Sequence, residues 1–195
     1  MLQRCKAFKF RGALSKISTL PKGAKIACAS AGNHSQGCAL SSQLCGLKCT
    51  VYMPETAPES KVLATKGYGA DVHQYGQTFD EANKKCQEDV KNDPELIFVP
   101  PFDDLYVMAG QGTIGLEIAE DVKNVNTVVV SVGGGGLCAG ICVSIKSLLP
   151  NCRIIAVNSA LFLNTYIKYQ KEKNREIDPL IEKEALTKKK TIAED

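Results

Sequence analysis

Ser131-Val132-Gly133-Gly134-Gly135-Gly136-Leu137-Cys138-Ala139-Gly140 is the stretch whose reading decides the fold. The apolar run Thr127-Val128-Val129-Val130 leads into it, and a helical pattern over residues 137–149 leads out. Four consecutive glycines let the backbone take conformations that a Cβ forbids. They fall where a strand hands over to a helix, so several N–H groups can converge at the positive end of the helix dipole. No side chain between Gly133 and Cys138 is charged or able to donate a hydrogen bond, which leaves the main chain as the only donor. A backbone cradle for a phosphate fits this design. A flexible turn is the plainer alternative, although four glycines weaken a connection that Asn-Gly would serve as well.

The kind of phosphate follows from what surrounds the loop. Gly134-x-Gly136-x-x-Ala139 satisfies a loose dinucleotide fingerprint, which also wants an acidic residue at the end of the next strand. Here that strand, residues 153–157, is followed by Asn158. The Gly-Lys-Ser/Thr of nucleoside-triphosphate loops is absent. A small monophosphate is the better match.

Upstream of the loop, strands alternate with helices. Helical patterns cover residues 13–20, 34–45, 58–66, 78 to about 91, and 105–119; strand patterns cover 25–29, 48–53, 71–75 and 96–99. Gly46 closes the second helix, and Thr78-Phe79-Asp80-Glu81 opens the fourth as a capping box. The fifth helix carries Gly110, Gly112 and Gly115, each costing about 1 kcal/mol relative to alanine. Close packing or a ligand should therefore account for some of them. Downstream, a polar helical pattern covers residues 164–173. Such alternation means an α/β fold with parallel sheets flanked by helices.

The 195 residues are 44% hydrophobic and 23% charged, enough for one or two globular domains. A net charge of +3 with both signs scattered favours no partner class. The run Lys188-Lys189-Lys190 reads as solvated tail, and no aromatics are interleaved with basic residues, so nucleic acid is not an expected partner. The nine cysteines include no Cys-x-x-Cys, the pairs Cys45/Cys49 and Cys138/Cys142 are four apart, and only two histidines exist. Small buried thiols in a reducing compartment are expected rather than a zinc site. With no signal-peptide pattern and no apolar run near about 18 residues, no membrane association is expected and the location should be cytoplasmic.

Two further stretches carry chemistry. Ser30-Ala31-Gly32-Asn33-His34 is a strand-to-helix turn whose amides, Ser30 hydroxyl and Asn33 amide could hold a carboxylate or a ring hydroxyl; an ordinary helix cap reads the same way. Lys9 stands between Phe8 and Phe10. Aromatic neighbours can desolvate a lysine, lower its pKa and free its amine, although most lysines are surface charges.

Taken in order, Lys6-Ala7-Phe8-Lys9-Phe10-Arg11-Gly12-Ala13, then Ala29-Ser30-Ala31-Gly32-Asn33-His34-Ser35-Gln36-Gly37, Ala109-Gly110-Gln111-Gly112-Thr113 and Gly133-Gly134-Gly135-Gly136-Leu137 resemble the pyridoxal-phosphate enzymes of the tryptophan-synthase-β fold (fold type II). The likeness is greatest to threonine/serine dehydratases and serine racemases. It runs from about Arg4 to Ala160, and the residues from Thr191 to Asp195 resemble the start of a further family segment. The resemblance implies two lobes with pyridoxal 5'-phosphate between them: a small lobe over 25–103, and a partial large lobe from 1–24 and 104–195. It also implies that Lys9 forms the Schiff base and Phe8 lies beside the cofactor ring. Asn33 would bond the ring hydroxyl. Gly133, Gly134, Gly135, Gly136 and Leu137 would hold the phosphate with their amides. Ser30, Ala31, Gly32, Asn33 and His34 would receive the carboxylate of a small amino-acid substrate.

The implied activity is a lyase reaction, deaminating L-threonine or L-serine to 2-oxobutanoate or pyruvate and ammonia. A racemase needs a second acid/base on the far face of Cα. Serine racemases resemble one another in placing a serine where this chain has Ala31, whose methyl cannot transfer a proton. A cysteine-synthase-like β-replacement enzyme and a cofactor-binding remnant without turnover are the other readings. Three departures stand out. Ala7 replaces a family serine. Asn158 replaces a glutamate that the racemase-like members use for a divalent cation, so no metal is expected there. The family's chain before the Lys9 motif, and the C-terminal segment that faces the pyridine nitrogen, have no counterpart. The large lobe is therefore expected to be incomplete, as in a split or degenerate gene or a partial gene model, and the isolated chain's stability and turnover to suffer. Relatives are commonly dimers or tetramers, so a homo-oligomer is implied where the large lobe is complete.

Overall fold

The computed structural model describes residues 3–158 and 170–173. Of the helix expected over 164–173 only the last four residues fall among them, and Lys188-Lys189-Lys190 and the segment 191–195 lie outside.

The elements alternate in order: α1 (Lys9–Ile17), β1 (Lys25–Ala29), α2 (Asn33–Cys45), β2 (Lys48–Met53), α3 (Glu59–Gly67), β3 (Asp71–Gln74), α4 (Phe79–Asn92), β4 (Leu96–Phe98), α5 (Leu105–Asp121), β5 (Thr127–Ser131), α6 (Gly136–Leu148) and β6 (Arg153–Val157). Local chemistry sets several boundaries. Gly46 ends α2 at φ 67°, a left-handed conformation that glycine adopts without strain. Before α4, the Thr78 hydroxyl accepts from the Glu81 amide at 3.3 Å while the Glu81 carboxylate accepts from the Thr78 amide at 3.0 Å.

The first helix departs from the sequence reading: it begins at Lys9, not at residue 13. Its early amide, the Gly12 N–H, donates to Oε1 of the buried Gln111, 3.1 Å away and 99 residues later. A partner so distant satisfies a helix start that local patterning cannot show.

Four strands form one parallel sheet in the order β3-β2-β1-β4. Because alternate residues face opposite sides, Ile26 and Cys28 of β1 with Val51 and Met53 of β2 meet Ala13 and Ile17 of α1, Cys38 of α2 and Val62 of α3. Ala27, Ala29 and Tyr52 face the other way, onto Cys86 of α4. The parallel pair β5-β6 is a separate sheet. Val128 and Val130 pack on Ile141 and Ile145 of α6, with Ile114 and Ile118 of α5 alongside.

The helix glycines are explained by close packing. A Cβ on Gly110 would stand 2.4 Å from the Arg11 carbonyl oxygen, and one on Gly140 would stand 2.2 Å from that of Met108. Helix α5 is thereby pressed between α1 and α6. All nine cysteines are free thiols. Among the described residues, no helix is long and apolar enough to cross a membrane.

Candidate active site

Lys9 opens α1, and the glycine at position 37 lets α2 lie directly against it: a Cβ there would be 3.2 Å from the Lys9 carbonyl. The lysine side chain reaches across the molecule and donates from Nζ to the carbonyl oxygen of Pro101. Its ammonium stands 5.6 Å from the centre of the Phe8 ring and 5.9 Å from that of Phe102. Burial pushes its pKa below the ordinary value of 10.5, only partly opposed by the Cys38 thiol.

The same Phe102 lies against the glycine loop. A Cβ on Gly134 would fall 2.3 Å from its ring, and one on Gly136 would fall 2.6 Å from its carbonyl oxygen. Lys9 and the loop thus face a common side chain. Within the loop, Gly135 caps α6 at φ 90°, which aims the following amides along the helix start. Gly133 and Gly134 are exposed, Gly135 and Leu137 half-buried and Gly136 buried. Nothing lies within 4 Å of a Cβ built on Gly133 or Gly135, so the loop has open space on one side.

The turn after β1 closes through its own hydroxyls. Ser30 Oγ accepts from the Gly32 amide at 3.1 Å, and Ser35 Oγ donates to the Gly32 carbonyl at 2.5 Å. Asn33 is exposed at the start of α2, and Ala31 packs its methyl on the core of the larger sheet. His34 does not join them. Its imidazole is 3% exposed and turned inward, with Nε2 2.9 Å from the Val99 carbonyl oxygen. Desolvation pulls its pKa down to about 4, the Val99 hydrogen bond opposing and the Lys9 charge assisting. A neutral ring buried this way leaves only the backbone of His34 on the turn's open side.

Sequence reading passed over Pro101, Phe102 and the role of Gln111. In the sequence the pair Pro100-Pro101 reads as the end of a strand pattern and as a place for the chain to pass between subdomains, not as a partner for Lys9, and Phe102 carries no local signal. In the folded chain the Gly110-Gln111-Gly112-Thr113 motif holds α1 in place. Thr113 Oγ1 accepts from Arg11 at 2.9 Å, and Glu117 takes both Arg11 nitrogens at 2.5 and 2.9 Å. A lysine at the start of a helix clamped from three positions is preorganised.

Residues 1–194 match the family described as "Pyridoxal-phosphate dependent enzyme". Over 156 residues the chain is 53% identical to the catabolic L-threonine dehydratase TdcB of Staphylococcus aureus; the match covers 78% of this chain and 45% of that protein. The chain therefore spans about half the length of the curated relatives it matches. Its fold is similar to the processed form of threonine deaminase isoform 2 from Solanum lycopersicum, with TM-score 0.83, 37% identity, and 94% of this chain and 52% of that one covered. It is also similar to serine racemase from Dictyostelium discoideum, with TM-score 0.77, 34% identity, and coverage of 87% and 55%.

Proposed function

The chain belongs to the pyridoxal-phosphate-dependent enzyme family, and from that premise we propose that it serves the deamination of L-threonine or L-serine to a 2-oxo acid and ammonia. The observation that carries the reading is the desolvated Lys9 amine facing, through Phe102, the open glycine loop at the start of α6. Those residues fit pyridoxal phosphate: a depressed lysine suits a carbonyl, and side-chain-free amides at a helix start suit a phosphate. When bound, the cofactor supplies a conjugated, electron-withdrawing ring beside the substrate Cα.

The chain's own residues would do the following. The amides from Gly133 to Leu137 hold the phosphate. Asn33 donates to the ring hydroxyl, and Phe8 covers the ring. The amides around Ser30, Gly32 and His34 take the substrate carboxylate, so that Cα lies toward Lys9. The Lys9 amine, whose pKa burial lowers, would accept the α-proton at Nζ and hold it away from water. Ala31 offers no proton on the opposite face, which favours elimination over inversion even though serine racemase shares the fold. The TdcB relative and the tomato deaminase support the dehydratase reading over the racemase one. We place the protein in the cytoplasm, with a small amino acid as its partner, and read the four-stranded unit with its helices as the small lobe.

The test is absorbance and ammonia release. Wild type with pyridoxal phosphate should show a visible lysine-linked band and release ammonia from threonine, and Lys9→Ala should lose both. A band that survives in Lys9→Ala refutes the assignment. A Lys9-dependent band without ammonia supports the second reading, a cofactor-binding chain without turnover. That reading is favoured by the β5-β6 sheet, which among the described residues has two strands and leaves Val129 64% exposed.

A further inference from the structure

Beneath Lys9 lies a cluster that the proposed chemistry does not use. Cys28 on β1 and His34 and Cys38 on α2 are all buried, and one ligand atom from each lies within 4.8 Å of the others. His34 and Cys38 are four apart on one helix face, which turns both toward the sheet. Cys28 points up from that sheet, on the same side as Ile26, Val51 and Met53. Cys49 of β2, buried on the same face, has its thiol against that of Cys28.

The three groups are close enough for their side chains to turn onto one cation. The Cys38 sulfur is 3.8 Å from His34 Nδ1, the nitrogen that could ligate, and 3.5 Å from Nε2, which is engaged by Val99. In a tetrahedral site with metal–sulfur bonds of about 2.3 Å and metal–nitrogen bonds of about 2.0 Å, neighbouring ligand atoms are about 3.5–3.8 Å apart. The tautomer is also suitable. The Val99 carbonyl can only accept, so Nε2 must carry the proton and Nδ1 keeps its lone pair. An imidazole whose second nitrogen donates to a backbone carbonyl is oriented in the way metal-binding histidines are. Spacing along the chain does not show this cluster, because Cys28 comes from a different element. The four-apart spacings do not mark it either: Cys49 pairs in sequence with Cys45, which is not one of the three clustered groups, and Cys138/Cys142 lie on α6.

We propose that Cys28, Cys38 and His34, with Cys49 as the nearest fourth ligand, form a binding site for one thiolate-preferring d10 cation of the zinc and cadmium class, behind the lysine that opens α1. Two thiolates and a neutral imidazole balance a divalent charge inside an apolar core, and a third thiolate makes the site anionic next to a buried ammonium. Each bound thiol releases its proton to water, so affinity falls as pH falls. Because every ligand is buried, loading waits on local opening of α2 and is slow.

Cadmium is the probe. The full chain, kept reduced, is equilibrated with increasing Cd2+, and the ultraviolet thiolate-to-cadmium charge-transfer band is followed. Wild type and the double variant Cys138→Ala/Cys142→Ala should both saturate at one equivalent. That control removes a second close thiol pair, with sulfurs 3.9 Å apart on α6. Cys28→Ala and Cys38→Ala should each bind at least tenfold more weakly. X-ray absorption of the wild-type complex should give two or three sulfurs and the outer-shell pattern of one imidazole, a readout that stands even if a cysteine variant fails to fold. A band lost in the Cys138/Cys142 variant, one unchanged in both Cys28→Ala and Cys38→Ala, no saturable band, or a shell without imidazole would overturn the site.

Discussion

At the scale of single residues, Lys9 combines a local and a distant cause. Phe8 beside it is visible in the sequence, and Phe102 and the Pro101 carbonyl are brought to it by the fold. Burial lowers its pKa, so its amine should react with trinitrobenzenesulfonate at a lower pH than the exposed lysines, read by peptide mapping of the labelled protein. The sign for stability follows from the same shift. Between the lowered folded value and the ordinary 10.5, the unfolded chain binds more protons at this position, so its cost to stability shrinks as pH rises through that window. Urea midpoints of wild type should therefore gain on those of Lys9→Met as pH climbs toward 10.5. A constant gap would mean that the amine is solvated. His34 teaches the complementary lesson. Its place in the turn motif was legible, but the inward direction of its ring was not, because the Val99 acceptor comes from a point 65 residues further along the chain.

At the scale of elements, the glycines of α5 and α6 set how closely helices approach. Gly140→Ala puts a methyl 2.2 Å from the Met108 carbonyl oxygen and 2.7 Å from the Gly112 nitrogen, both backbone atoms that cannot step aside. It should destabilise by about 1–3 kcal/mol. Gly115→Ala meets mainly the Ser144 hydroxyl at 2.1 Å, a side chain that can rotate or be removed. With Ser144→Ala, the gain in helix propensity of about 1 kcal/mol should leave that double variant as stable as wild type by chemical melt. Asp104 gives a second element-level test. It caps α5 by accepting from the amides of Tyr106 at 2.8 Å and Val107 at 3.1 Å, and it pairs with Lys16 of α1 at 2.7 Å. Burial pushes its carboxyl up, but the Lys16 hydrogen bond and the two amides outweigh that and hold it below 3.8. Its contribution is present above the unfolded value and is lost as pH falls through the lowered one. Asp104→Ala should cost about 1–2 kcal/mol at neutral pH. Asp104→Asn should keep the cap and flatten the acid limb of the stability profile. The strand-helix alternation was readable because each element repeats its own period; the start of α1 was not, because its amide partner is Gln111.

At the scale of the whole molecule, the two sheets differ in how completely they are covered. Among the described residues the four-stranded sheet has helices on both faces, whereas β5-β6 has them on one. Register pairs Val129 with Ile155, and Val157 follows on the same face; these are 64%, 38% and 48% exposed. The alternation Val128-in, Val129-out, Val130-in could be read from residues 127–130 only as a strand. A continuous apolar run is what a strand covered on both sides shows, and here one cover is absent from the described residues. That asymmetry makes a directional prediction. Val130→Lys, at a position 4% exposed, should unfold the β5-β6 unit, whereas Val129→Lys should change the melting free energy by no more than about 0.5 kcal/mol. The Val129→Lys variant should also bind less of an apolar dye and aggregate at higher concentration, because a charge now interrupts an exposed apolar strand face. If Val129→Lys instead destabilises as much as Val130→Lys, the face is buried in solution. Sedimentation of wild type should then show two chains joined across it, and the variant should sediment as one.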